Sequence, residues 1–151
     1  MSQSLTQIYL HLIFSTKKRV PHLRDKQLRS SLHAYMAGIC NHLESPALIV
    51  GGVEDHVHVL SRFSKKLALA DLVKELKRDS SKWLKTESPL MVDFYWQAGY
   101  GAFSISPLHV EPLRHYIANQ ETHHRTESFQ DELRRICHKY GVAFDERYVW
   151  D

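Results

Sequence analysis

Ala47-Leu48-Ile49-Val50-Gly51-Gly52-Val53-Glu54-Asp55-His56-Val57-His58-Val59-Leu60 reads as two adjacent strands. Pro46 opens the first, the glycine pair punctuates the run, and a β-rich segment resumes over 53–63. On each side lies an amphipathic helix and then another strand. Upstream, Leu28, Leu32, Tyr35, Met36, Ile39 and Leu43 recur at helical spacing, with Asp25 placed to cap the helix they predict. Before it, the β-branched and aromatic stretch 7–15 predicts a strand that ends at Thr16-Lys17-Lys18-Arg19. Downstream, Leu69, Leu72, Val73, Leu76, Trp83 and Leu84 predict a helix over about 68–85. Aromatic residues and glycines over 92–106 then suggest a fourth strand with a bend. Pro107 and Pro112 frame a third helix running to about His123, and Phe129, Leu133, Ile136, Cys137 and Tyr140 stripe a fourth, before an aromatic-rich tail. This order predicts an α+β fold of ferredoxin-like split βαβ type: a four- to five-stranded antiparallel sheet with helices on one face and additional C-terminal helices.

Composition narrows the class without naming a chemistry. A chain of 151 residues suits one domain over 1–151, and its 43% hydrophobic and 25% charged residues are ordinary for a folded globular protein. No apolar run approaches the roughly 20 residues that span a bilayer, and Met1-Ser2-Gln3-Ser4 opens no signal sequence, so a cytoplasmic protein with no membrane partner is expected. Cys40 and Cys137 stand alone on amphipathic stretches and are expected as buried free thiols. A net charge of +3 permits nucleic-acid binding but is too mild to argue for it.

Two constellations carry candidate chemistry. In a strand, period two puts His56 and His58 on one face with Val57 opposite, so both imidazoles project together. The pair fits a divalent metal, and equally fits sheet histidines bonded to backbone. On the third helix, Tyr116 and Gln120 fall one turn apart on one side; alone, Tyr116 also fits an apolar stripe with its hydroxyl at the rim. Asp55 or Glu54 is placed to orient an imidazole, or to be a solvated turn carboxylate, and no role is assigned to His115, His123 or His124. Lys17, Lys18 and Arg19, with Lys74, Lys77, Arg78 and Lys82 on the second helix, form a candidate DNA-binding surface, with Trp96, Tyr100 or Phe103 available to stack bases.

Taken together, Gly51-Gly52-Val53-Glu54-Asp55-His56-Val57-His58, Trp96-Gln97-Ala98-Gly99-Tyr100-Gly101 and Tyr116-Ile117-Ala118-Asn119-Gln120 resemble the single-tyrosine transposases of bacterial insertion sequences, within the His-hydrophobic-His nuclease superfamily. The opening 11–17 and closing 145–151 extend the likeness along nearly the whole chain. The resemblance implies that Tyr116 is the nucleophile and that His56, His58 and Gln120 hold Mg2+ or Mn2+. It further implies cleavage and rejoining of single-stranded DNA at hairpin-bearing transposon ends through a 5′-phosphotyrosine. A homodimer with possible composite active sites is part of the same expectation. Two alternatives remain at this point: a replication-initiation or relaxase-type nicking enzyme, and a noncatalytic hairpin-binding regulator.

Overall fold

The computed structural model describes residues 2–151; Met1, at the start of the 1–151 reading, lies outside the described residues. Strands β1 (Tyr9–Ser15), β2 (Ala47–Gly52), β3 (His56–Arg62) and β4 (Gly101–Ile105) alternate with helices α1 (Lys26–His42) and α2 (Leu69–Glu87) in the expected order. Three further helices follow: α3 (Val110–Ala118), α4 (Gln120–His123) and α5 (Phe129–Tyr140). The sheet order is β2-β3-β1-β4 and every pairing is antiparallel, which is the split βαβ arrangement. Among the described residues, no helix is long and apolar enough to cross a membrane.

Helices cover both faces of the sheet, and strand periodicity decides what each meets. Leu10, Leu12 and Phe14 of β1 and Val57 and Val59 of β3 join Leu32, Met36, Leu72 and Leu76 of α1 and α2 in one apolar core. Residues one step along point the other way. There Ile13 packs with Phe103, Phe129, Leu133 and Ile136, while Leu60 packs with Ile105, Val110 and Ile117, so α3 and α5 roof this second face. Asp25 caps α1 as expected, accepting from the backbone N–H of Gln27 and Leu28 at 3.0 and 3.1 Å. Cys40 and Cys137 are buried and unpaired with each other.

Three local readings change. Gly51 and Gly52 do not separate two strands; they pair with His58 and Val57 inside the ladder. A Cβ on Gly51 would stand 2.8 Å from both the side chain and the carbonyl oxygen of Ile117, so the missing side chain is what lets α3 lie against β2. The third helix does not run unbroken to His123. It stops at Asn119 (φ −103°, ψ 23°), whose side-chain amide donates to the His115 carbonyl at 2.8 Å and competes with the helical ladder. Finally, strand structure before Gln97 shrinks to one bridge between Trp96 and Thr16, because Phe94 and Trp96 turn inward. Trp96 meets Phe14 edge-on at 4.9 Å and donates its indole N–H to Ser80 Oγ at 2.9 Å.

Candidate metal and nucleophile centre

β3 delivers His56 and His58 to the second face, where both are fully buried. Opposite them stands Glu132, fully buried on the first turns of α5. Its Oε1 lies 2.9 Å from His58 Nε2 and 3.2 Å from His56 Nε2. Its Oε2 accepts from the Tyr116 hydroxyl in a short hydrogen bond and from Gln120 Nε2 at 3.1 Å. Gln120 also turns its Oε1 to His56 Nε2 at 3.0 Å. The four residues expected from sequence therefore meet within one chain, and the carboxylate at their centre is one the sequence reading left out.

His124 completes the cluster. Candidate ligand atoms of His56, His58, His124 and Glu132 all lie within 4.8 Å of one another. His124 Nε2 is 3.1 Å from Glu132 Oε2 but off the line of a hydrogen bond, so this buried nitrogen is left without a partner. Two further residues hold the imidazoles in orientation: Asp55 Oδ1 sits 2.7 Å from His56 Nδ1, and His11 Nε2 sits 2.8 Å from His58 Nδ1.

Burial and charge act against each other here. Burial disfavours a charged His56, but hydrogen bonds to Asp55 and Glu132 outweigh it and push the imidazole up to about 9. For His58 burial wins and the imidazole titrates below its ordinary value, although Glu132 opposes the shift. Burial would raise Glu132, yet His58, His124 and His56 together hold it far below the usual carboxylate range. Tyr116 is raised by burial and by the Glu132 charge, with Arg135, 2.8 Å from the phenol oxygen, opposing. The centre is thus a carboxylate shared between histidines and a protonated phenol.

Glu132 did leave a sequence signal. It falls three residues after Phe129 and four before Ile136, on the stripe that buries α5, and a carboxylate there needs partners. His124 left none, because the break at Asn119 and the following turn decide where it points.

The basic residues divide. Lys17, Lys18 and Arg19 form a tight turn next to the histidine strand, anchored by the Thr16 N–H donating to the Asp55 carbonyl at 2.8 Å. Lys74 and Lys82 are exposed on α2, and Arg78 is exposed but paired with Glu75 at 2.6 Å and Asp79 at 3.1 Å. Lys77 differs from the expectation of a free cation: its ammonium donates to the carbonyls of Gln97, Ala98 and Gly99 at 2.8, 3.2 and 2.7 Å, pinning that loop. Burial lowers its pKa to about 8. Trp96 and Phe103 are core residues, which removes them as base-stacking platforms; Tyr100 remains exposed.

The profile of the family described as IS200-like transposases matches residues 4–120, most of the chain. A comparison with curated proteins gives no match. Among solved structures, a "putative transposase" from Deinococcus radiodurans R1 superposes with a TM-score of 0.60 at 23% identity, covering 80% of this chain and 98% of that one. A REP-associated tyrosine transposase bound to a REP hairpin gives a TM-score of 0.50 at 11% identity, covering 80% and 70%. At these identities the two structures speak for the fold, while the family match reaches through both histidines, the tyrosine and the glutamine. The chain belongs to the IS200-like transposase family.

Proposed function

We propose that this transposase cleaves and rejoins single-stranded DNA through a 5′-phosphotyrosine at Tyr116, beside a divalent ion held by His56, His58 and Gln120 with Glu132. The observation that carries this reading is one shared group: the carboxylate that accepts from the Tyr116 hydroxyl also contacts both histidines. The residues fit an ion. Two imidazoles, an amide oxygen and a carboxylate form a mixed nitrogen–oxygen set, and the unpartnered His124 nitrogen faces the same carboxylate. Oxygen ligands favour Mg2+ and Mn2+, while the imidazoles tilt the set toward Mn2+. Such an ion supplies Lewis-acid stabilisation of charge on the phosphoryl oxygens.

The chain's own groups account for the rest. A phenol is almost wholly protonated at neutral pH and needs an acceptor as it attacks. Glu132 Oε2 accepts the hydrogen bond of the Tyr116 hydroxyl and orients it. The phenolic proton passes to water as the Tyr116 oxygen bonds to phosphorus, and the P–O3′ bond breaks with the 3′ oxygen protonated from water. Arg135 steadies charge on the phenol oxygen and the entering phosphate. Because the phosphotyrosine is an ester like the one it replaced, a 3′ hydroxyl can reverse the step without a nucleotide cofactor.

The hairpin substrate is supported by the family resemblance and by the REP hairpin bound to the similar REP-associated structure. Lys17, Lys18, Arg19, Lys74 and Lys82 are the backbone contacts in this reading, with Arg78 a further contact only if it exchanges its carboxylate partners for phosphate. A homodimer belongs to the proposal through the family resemblance, although Tyr116 reaches the histidines without a second chain. The test is a denaturing gel of labelled hairpin oligonucleotides incubated with Mg2+ or Mn2+. Wild type forms a covalent adduct and Tyr116→Phe forms none while still shifting the hairpin on a native gel; an undiminished adduct in the variant removes Tyr116 as nucleophile.

A further inference from the structure

Beside Tyr116, between the second face of the sheet, α3 and α5, lies a cavity of about 290 Å3. Its walls include Ile105, Leu113 and Ile136, the Tyr140 ring held parallel to Phe103 at 5.1 Å, and His11. His11 is the unusual member. It is 2% exposed, its Nε2 faces His58 Nδ1 at 2.8 Å, and its Nδ1 is buried with no partner at all.

The tautomers of this pair are linked. If His58 offers the lone pair of Nε2 to an ion, its proton must sit on Nδ1 and be donated to His11 Nε2. His11 then carries its single proton on Nδ1, so the unpartnered nitrogen becomes a hydrogen-bond donor. A buried donor without an acceptor is costly, and a ligand bearing one relieves that cost. The largely apolar and aromatic walls suit a flat base that stacks and accepts one hydrogen bond better than a bare phosphate, which would lose its water there. Exposed Arg135 and Lys139 line the same cavity and provide cations for the backbone attached to such a base.

We propose that this cavity is a nucleobase pocket that takes the base adjoining the scissile phosphate, and that ion binding at His58 sets His11 to donate to a carbonyl or ring-nitrogen acceptor of that base. The tautomer link rests on the metal reading above, whereas occupation of the pocket does not. His11 is thereby a positioning residue for His58 and a recognition residue for DNA.

The test is NMR of protein labelled with 15N-histidine, titrated first with Mg2+ and then with the four deoxynucleoside 5′-monophosphates at millimolar concentration. Expected are ion-dependent shifts of His56 and His58, a His11 signal with its proton on Nδ1, and movement of that signal with at least one nucleotide. Leu113→Trp, which fills the cavity, and Tyr140→Ala, which removes a wall from an exposed position, each weaken the nucleotide response about tenfold or more while leaving the ion response in place. An ion-loaded protein with the His11 proton on Nε2 overturns the tautomer link. A His11 signal indifferent to every nucleotide, or an undiminished response in both variants, overturns the pocket. Silence of His56 and His58 toward the ion defeats the metal reading and the link with it, while the nucleotide response still decides the pocket.

Discussion

On the face covered by α1 and α2, β1 and β3 present Leu10, Leu12, Phe14, Val57 and Val59 to a dry core. One residue along, the same strands present His56 and His58 to Glu132 and Gln120, with His11 bonded to His58 and Tyr116 sharing the carboxylate. Both faces are buried, so burial alone does not distinguish them. The first face gains stability from removing apolar area from water, about 25 cal/mol per Å2. The second spends part of that gain on desolvated charge, offset by the contacts among Glu132, both histidines, Gln120 and Tyr116, although His11 Nδ1 and His124 Nε2 stay without a hydrogen-bond partner. The apolar core is thus concentrated on one side of the sheet and the candidate site on the other.

That division can be tested from both sides. Phe14→Ala opens a cavity against Trp96 and should cost about 3–5 kcal/mol in urea denaturation, enough to unfold a marginal domain. Glu132→Gln keeps the shape but removes the charge that His56 and His58 share; Mn2+ affinity by calorimetry should fall about 100-fold, a loss of the size seen when metal-orienting groups are removed. Should wild-type affinity survive, Glu132 is no part of the ion's environment.

A smaller effect probes the seam between the faces, where His33 lines a cavity with Gly51 and Gln120. Burial, aided by the Arg29 charge, lowers His33 to about 4. The unfolded chain takes up a proton below about 6.5 while the folded protein does not, so stability falls as pH drops from that value toward 4 and then levels. His33→Gln should flatten this slope by on the order of 2 kcal/mol between pH 7 and pH 4.5; an unchanged slope removes His33 as its source. The smallest effect concerns the exposed cations. Lys74→Ala and Lys82→Ala should each weaken hairpin binding a few-fold and lower the slope of log affinity against log salt by about 1, whereas Lys77→Met should act on stability through the freed carbonyls of residues 97–99.

How much of this was legible depends on the range of the interaction. The α1 stripe and its Asp25 cap, the alternation around His56 and His58, and the α2 helix are written in neighbours a few residues apart, and they appear as read. Gly51 was read as punctuation because its reason, contact with Ile117, lies far along the chain. Lys77 looked like one more surface cation until the loop of residues 97–99 folded onto it. Glu132 was visible in principle, as a charge on an apolar stripe, but nothing local named its partners.

The order of strands and helices, and the projection of His56 and His58 from one side of a strand, were determined by the sequence alone, since backbone periodicity is a local property. Which carboxylate meets those histidines, which phenol shares it, and where a cavity opens beside them were decided by α3 and α5 docking on the second face. Docking sums weak contacts over the whole sheet, and no short stretch of chain contains that sum.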